Sequence, residues 1–175
     1  QILAEAYDLM KRVAGLEGTA MADVLKGWND TEELSSFLVE ITEVCLRAED
    51  PQSGEKLVEK IVDAAGQKGT GLWTVESALN MGVPVPTVYA ALNARVLSSL
   101  RPQRIAAEPL LQVAPGPAFD LGSPADGVAP LRDACILASI ASYAQGMALM
   151  KEASELHNYN LDLSAIGQIW KGGCI

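Results

Sequence analysis

A long segment with almost no charge is the feature that most limits how this 175-residue chain can fold. Between Glu76 and Arg101 the only charged residue is Arg95, which shares one helical face with Val88 and Leu92. A helix that is apolar nearly all round is buried, so the segment predicts a helix inside a packed domain. A buried Arg95 would need an anionic partner, because an unpaired buried charge costs several kcal/mol. That partner is either a distant carboxylate or a ligand.

A glycine-rich loop precedes this segment. Residues 66–74 read GQKGTGLWT, so three glycines surround one cation, Lys68, and one hydroxyl, Thr70. Glycines let backbone N–H groups approach an oxyanion, and the start of a following helix adds unpaired donors and a favourable dipole. We interpret the loop as an anion-binding site in which Lys68 is the point charge and Thr70 a donor. The alternative is that Gly66 only ends a helix and Lys68 is solvated.

Two better-known phosphate loops do not fit this stretch. A Walker loop has Lys-Ser or Lys-Thr directly after its last glycine, whereas Gly71 is followed by Leu72. The dinucleotide fingerprint needs a preceding strand and a third glycine where Thr74 stands. Apolar residues instead follow the helical period over residues 54–65, which predicts a turn between two helices.

Composition argues against several kinds of partner. The net charge is −9, from 22 acidic and 13 basic residues, which disfavours nucleic acid and anionic membrane surfaces. The longest uncharged runs, 77–94 and 134–150, are shorter than the roughly 20 apolar residues of a transmembrane helix. One histidine, His157, expected at the surface, and three scattered cysteines form no pattern for a metal site or a catalytic thiol. We expect buried free thiols in a reducing, cytoplasmic compartment at Cys45, Cys135 and Cys174.

The size and apolar content predict one domain with a partner. Hydrophobic residues make up 49% of the chain and the mean hydropathy is +0.16, enough for a single core. The apolar surface left over is expected to face an identical subunit.

Helical periodicity, caps and breakers divide the chain into helices, and no alternating strand pattern occurs, so the predicted class is all-α. Trp28 is expected to anchor the core. Small residues along the last long helix fit either intrachain packing or a subunit interface. The first helix has no cap before it, as if the chain began inside a longer helix. We predict a surface loop over 114–130 and two long helices, one through Arg95 and one over 131–156; shorter helices are expected over 2–13, 19–26, from Asp30 or Thr31 to a break at 49–51, and over 54–65, 71–81, 101–113 and 161–170.

The stretch from Gly66 to Leu100 resembles the signature of the helical C-terminal domain of 6-phosphogluconate dehydrogenase (decarboxylating). Further anchors of the resemblance are QILAEAY at 1–7, SYAQG at 142–146 and IWKGGCI at 169–175. The resemblance runs through the whole chain. It implies that residues 1–175 form a single all-α C-terminal domain.

The same resemblance implies a function. It places Lys68, Thr70 and Arg95 at the substrate, with Lys68 and Arg95 on its phosphate. The family's complete enzyme is a cytoplasmic homodimer of the pentose phosphate pathway that uses NADP to convert 6-phosphogluconate into ribulose 5-phosphate. Its nucleotide-binding domain, catalytic lysine and glutamate, and C-terminal tail fall outside residues 1–175. No catalytic, cofactor-binding or metal-binding residue is therefore assigned here, and the fragment alone is expected to be inactive.

The sequence departs from the family pattern at two positions. Leu72 stands where many relatives have a second lysine, and Lys171 where most have arginine, which keeps the charge but not a bidentate fork. One alternative is a non-catalytic oligomerisation module in which Lys68 and Arg95 pair with carboxylates. Another is the helical domain of a related β-hydroxyacid dehydrogenase.

Overall fold

The computed structural model describes residues 1–111 and 124–171, with 124–127 as backbone. The prediction of an all-α domain is confirmed. In the described part, the nearest approach to a sheet is a single antiparallel bridge between Glu49 and Lys56. The helical elements are α1 (Ile2–Arg12), α2 (Gly18–Asn29), α3 (Phe37–Arg47), a 3₁₀ helix (Leu57–Lys60), α4 (Thr70–Met81), α5 (Pro86–Ser99), α6 (Arg101–Ala107), α7 (Pro124–His157) and α8 (Leu163–Trp170).

The larger of two hydrophobic cores lies among α1, α2, α3 and the N-terminal half of α7. Its largest fully buried side chains are Met10, Met21, Leu25 and Leu46. Trp28 is buried at the end of α2, as predicted. The members of this first core are Ala6, Met10, Met21, Ala22, Leu25, Trp28, Leu34, Val39, Leu46 and Cys135.

A smaller second core lies among α4, α5 and α7. It consists of Val75, Ala78 and Val85, and partly buried apolar side chains such as Leu92 and Leu149 pack against it. α7 is roughly 50 Å long at the helical rise of about 1.5 Å per residue. It contributes to both cores and so joins the two halves of the domain.

The prediction of a helix over residues 54–65 is wrong. Only Leu57–Lys60 is helical, as a 3₁₀ turn, and Leu57, Ile61 and Val62 are exposed. A helix as short as the predicted one, over residues 54–65, is marginal unless its apolar face packs against a neighbour. Val58 packs against the first core, whereas Leu57, Ile61 and Val62 stay exposed.

Two helix boundaries also differ from the prediction. α2 continues through Gly27 to Asn29, because burial of Trp28 holds its last turn. The Thr31 hydroxyl donates to the Trp28 carbonyl at 2.7 Å and so does not cap the next helix. Ser36 caps α3 instead, where its hydroxyl accepts from the Val39 amide at 3.2 Å.

The last third of the chain contains three further differences. Residues 124–130, predicted as loop, belong to α7, since proline is tolerated at the first helical position where Pro124 stands. α6 ends at Ala107, short of the predicted 113. From Val128 to His157, α7 is long and apolar enough to cross a membrane by length and composition. The uncharged runs alone do not reveal this, because Arg132, Asp133, Lys151, Glu152 and Glu155 interrupt the helix.

The cysteines differ in their surroundings. Cys135 is buried in the first core, and burial raises the pKa of its thiol. Cys45 is exposed, so the expectation of a buried thiol is wrong there. Cys45 lies beside the exposed Val44, whereas Val39 and Leu46 face the core from the same helix. Cys174 lies outside the described residues.

Candidate functional site

The glycine-rich loop ends in a sharp turn that starts α4. Gly69 precedes the helix with φ of +99°, a conformation that side chains with a Cβ rarely adopt. A Cβ at this position would also lie 3.2 Å from the Trp73 ring. Thr70 is the first residue of α4, and the Trp73 amide donates to the Gly69 carbonyl at 2.9 Å. The prediction that a helix begins directly after the loop is confirmed.

The N-terminus of α4 offers donors to an anion. Gly69 has no side chain that could cap the helix, so the first-turn amides have no side-chain acceptor there. An anion placed at this end would also meet the favourable helix dipole. Within the described residues Lys68 forms no hydrogen bond or ion pair, and both Lys68 and Thr70 are exposed.

Arg95 is not buried, which contradicts the prediction from the apolar segment. α5 contains no fully buried residue and Arg95 is exposed. α5 packs on α4 and α7 through a narrow strip that includes Val88 and Leu92, and the described chain leaves the rest of its surface open. The need for an anionic partner therefore does not arise from burial.

The guanidinium of Arg95 lies at the entrance of the loop. Its Nη2 donates to the backbone carbonyl of Gly66. This partner is neutral, so the positive charge of Arg95 is not cancelled, and its remaining N–H groups point to no carboxylate within the described residues. The structure thus brings Arg95 to the start of the glycine-rich loop. Lys68 lies in this loop, and Thr70 stands at its end.

α5 is fixed against α7 by a glutamine that the sequence interpretation did not single out. The Gln145 Oε1 accepts from the amides of Thr87 and Val88 at 3.0 and 3.4 Å. The Gln145 Nε2 donates to the Thr87 hydroxyl at 2.7 Å. These bonds cap α5. The available signal was a lone amide side chain in the SYAQG motif, within an otherwise apolar and small-residue stretch.

Two other residues that the interpretation missed bind the segment leading into the loop. The Ala65 amide donates to the Ser98 hydroxyl at 3.0 Å. Arg104 donates to the Asp63 carboxylate at 2.7 Å and to the Asp63 carbonyl at 2.6 Å. Ser98 follows Arg95 by three residues and so shares its face, which was a usable signal. Arg104 carried none.

Other candidate chemistry falls away from the loop. In residues 1–111 and 128–171, no group of three or more His, Cys, Asp or Glu side chains is arranged to hold a metal ion. His157 is exposed and stacks on Tyr159 with ring centroids 5.2 Å apart. A charged surface cavity of about 700 Å³ is lined by Lys11, Lys56 and Lys60, each paired with a glutamate.

Known proteins resemble this chain over its whole length. The family model described as 6-phosphogluconate dehydrogenase, C-terminal domain, matches residues 1–175. The decarboxylating 6-phosphogluconate dehydrogenase of Synechococcus elongatus is 51% identical over 178 residues, which cover all of this chain and 37% of that protein. The enzyme of Schizosaccharomyces pombe is 45% identical over 175 residues, which cover all of this chain and 35% of that protein.

A solved structure shows the same fold. The 6-phosphogluconate dehydrogenase of Plasmodium falciparum, described in its apo form and in complex with NADP+ and with 6-phosphogluconate, superposes with a TM-score of 0.91. The two sequences are 37% identical, and the match covers 99% of this chain and 37% of that one. The chain thus spans little more than a third of the length of these relatives. With the family model matched from end to end, the chain belongs to the family of the 6-phosphogluconate dehydrogenase C-terminal domain.

Proposed function

We propose that this domain binds the phosphate of 6-phosphogluconate through Lys68, Thr70 and Arg95. The complete enzyme would be an NADP-dependent decarboxylating dehydrogenase that forms ribulose 5-phosphate. The observation that carries the proposal is the hydrogen bond from Arg95 to the Gly66 carbonyl. It brings the one charge of α5 to the entrance of a loop that holds a second cation and ends in a helix N-terminus.

The chemistry of these groups suits a phosphate monoester. A dianionic phosphate needs charge and several donors, which two cations, a hydroxyl and first-turn amides supply. The overall charge of −9 would repel such a ligand, so binding depends on local cations. Gluconate lacks the phosphate and would leave these donors unpaired.

Catalysis itself is proposed to depend on groups outside residues 1–175. Lys68 and Arg95 hold the end of the substrate that does not react, so they supply binding and orientation. NADP would be bound mainly by another domain, and the 175-residue chain alone would not reduce it.

The test uses the full-length enzyme that contains this domain. Lys68→Ala or Arg95→Met removes one charged hydrogen bond to the phosphate, worth about 1.5–3 kcal/mol. We expect the KM for 6-phosphogluconate to rise by roughly 10- to 150-fold, with the KM for NADP unchanged. The matched control is Lys26→Ala, since Lys26 is an exposed lysine on α2 that pairs with Asp30. An unchanged substrate KM in both site variants would overturn the proposal.

We also propose a homodimer. Large apolar side chains remain open in this chain, among them Leu79 at 75% exposure, Leu137 at 68% and Leu97 at 60%. Patches of this kind mark protein contacts. Sedimentation of the full-length enzyme at micromolar concentration should give twice the chain mass, and a monomer would contradict the proposal.

The same proposal places α7 inside protein and the enzyme in the cytoplasm, without nucleic acid or membrane as partner. Two polar side chains of α7 already bind other parts of the chain: Gln145 binds α5, and Arg132 forms an ion pair at 3.0 Å with Glu33, in the turn between α2 and α3. Such contacts favour a helix packed in protein over one that faces lipid. Fractionation of cells that express the full-length enzyme should leave it in the supernatant.

A further inference from the structure

The segment that leads into the loop is not held by apolar burial. Residues 61–69 form no regular secondary structure. Ile61 and Val62 are 64% and 66% exposed. A segment with so few buried contacts opens easily unless polar bonds fix it. Its position therefore depends on the hydrogen bonds that it makes.

Arg104 of α6 makes two of those bonds, both to Asp63. Its Nη1 pairs with the Asp63 carboxylate at 2.7 Å, and its Nη2 donates to the carbonyls of Asp63 and Ser98 at 2.6 and 3.0 Å. Its Nε is buried without a partner among the described residues. The two Nη groups thus link the incoming segment to the C-terminal end of α5.

The bonds continue to the edge of the loop. The Ser98 hydroxyl accepts from the Ala65 amide, and Arg95 donates to the Gly66 carbonyl. The residues at 63, 65 and 66 are thus all tied to the α5–α6 junction. Two extended residues span about 7 Å at most. While Gly66 is held, the backbone of Lys68 therefore stays within about 7 Å of it.

We propose that Arg104 is a positioning residue for substrate binding. It fixes residues 63–66 on α5 and so sets where Lys68 lies relative to Arg95. The inference rests on the proposed function, since it matters only if Lys68 and Arg95 share a ligand. Arg104 itself need not touch that ligand.

The contacts also predict which of the bonds made by Arg104 matter for substrate binding. The Asp63 side chain is 78% exposed, and exposed ion pairs contribute little. The bonds from Arg104 to two carbonyls survive in Asp63→Asn, whereas every bond is lost in Arg104→Met. Lysine keeps the charge but cannot reach two carbonyls with a planar fork, so Arg104→Lys should recover only part of the function.

The experiment measures steady-state kinetics of the full-length enzyme. For Arg104→Met we expect the KM for 6-phosphogluconate to rise about tenfold, with kcat changed by less than about twofold and the KM for NADP unchanged. Arg104→Lys should fall between Arg104→Met and the parent enzyme. Asp63→Asn should raise the substrate KM by less than about twofold.

The matched control is Arg47→Met. Arg47 also joins chain segments, through Asp23 at 2.7 Å and Glu43 at 2.8 Å, but it belongs to the α2–α3 pair. We expect it to lower Tm and to leave the substrate KM unchanged. If Arg104→Met behaves in the same way while Lys68→Ala still raises the KM, Arg104 is only structural and the inference is overturned.

Two further outcomes have definite readings. If Lys68→Ala also leaves the substrate KM unchanged, the proposed function itself is overturned, and this inference with it. If Arg104→Met does not fold, Ser98→Ala takes its place. That variant removes the bond to the Ala65 amide and should raise the substrate KM about threefold; an unchanged KM would overturn the inference.

Discussion

The two halves of this domain are held together in different ways. Among the described residues, the first core contains nine buried residues from α1, α2, α3 and α7 together with Leu34 from the turn before α3, and four of its large side chains are fully buried. The second core, under the glycine-rich loop, contains three buried residues and none of comparable size. In the second half, hydrogen bonds supplement the small core: the Gln145 and Ser98 side chains accept from backbone amides, and Arg104 donates to the Asp63 carbonyl.

Under the proposed function, this difference follows from what each half has to do. Packing of the first core is non-directional, and it stabilises the fold without exposing polar groups. A phosphate site needs cations and amides left open to solvent, which is incompatible with deep burial. Directional bonds can fix such groups while leaving them accessible. Burial should therefore set the stability of the first half, and hydrogen-bond geometry that of the second.

The largest expected effect is in the first core. Leu25→Ala should lower the free energy of unfolding by about 2–5 kcal/mol, because Leu25 is 1% exposed and its removal leaves a cavity. Urea denaturation of the 175-residue chain measures this. The control is Leu156→Ala near the end of α7, where Leu156 is 59% exposed and the loss should stay within about 0.5 kcal/mol. Equal losses at the two leucines would contradict the comparison.

The next effect is at the loop. Gly69→Ala forces a Cβ into a positive-φ conformation and against the Trp73 ring, which should cost about 1–3 kcal/mol. Gly66→Ala is the matched control, because a Cβ at Gly66 would meet nothing within 4 Å. Its effect should stay within about 0.5 kcal/mol. Thermal unfolding of both variants decides the point, and a neutral Gly69→Ala would show that the turn is not strained.

A smaller effect is expected at the cap of α5. Gln145→Met keeps the length of the side chain but leaves the Thr87 and Val88 amides without their acceptor. The cost should be about 1 kcal/mol. Gln103→Met is the control, since Gln103 is exposed on α6 and forms no hydrogen bond to the described residues. If both variants unfold at the same urea concentration as the parent, the cap does not stabilise the second half.

Sequence patterns predicted the first half better than the second. Helical periodicity gave α1 and the all-α class, because a helix with one face on a core repeats its apolar residues at the helical spacing, and the size of its aromatic side chain gave the burial of Trp28. The same rule failed for Arg95. The apolar residues all round α5 are not fully buried within this chain. The surface against which they would pack need not lie in the same 175 residues.

The site was predictable only in part. Glycine content and the position of Lys68 and Thr70 gave the turn into α4, because positive φ and helix starts have local signatures. The bond between Arg104 and Asp63 joins residues 41 positions apart, and the bond between Gln145 and Thr87 joins residues 58 positions apart. No local pattern encodes such pairs. The failed helix over 54–65 has the same origin, since of its apolar residues Val58 packs on the first core but Leu57, Ile61 and Val62 stay exposed.

The smallest expected effect concerns residues 50–65, which connect the two halves. Carboxylate groups hold this connection in place. Four carboxyl groups in this connection have lowered pKa values in the folded chain. The unfolded chain therefore binds more protons than the folded one, and stability rises with pH. Their contribution is present above the ordinary carboxyl pKa of about 4 and is lost as the pH falls through the lower, folded values. The groups and the first cause of each shift are Asp50 with the Ser53 hydroxyl, Glu55 with Lys60, Glu59 with Lys11 and Asp63 with Arg104.

Acidification should therefore loosen residues 50–65 before either core, although modestly, because exposed ion pairs are individually weak. Hydrogen exchange measures this at the Leu57 amide, which donates to the Ala48 carbonyl at 2.9 Å, and at the Ala65 amide, which donates to Ser98. Their protection factors should be lower at about pH 3 than at about pH 6, while the protection factors of amides near Leu25 stay unchanged. Loss of protection at Leu25 first would mean that the buried core, and not the charged connection, is the weaker part of the domain.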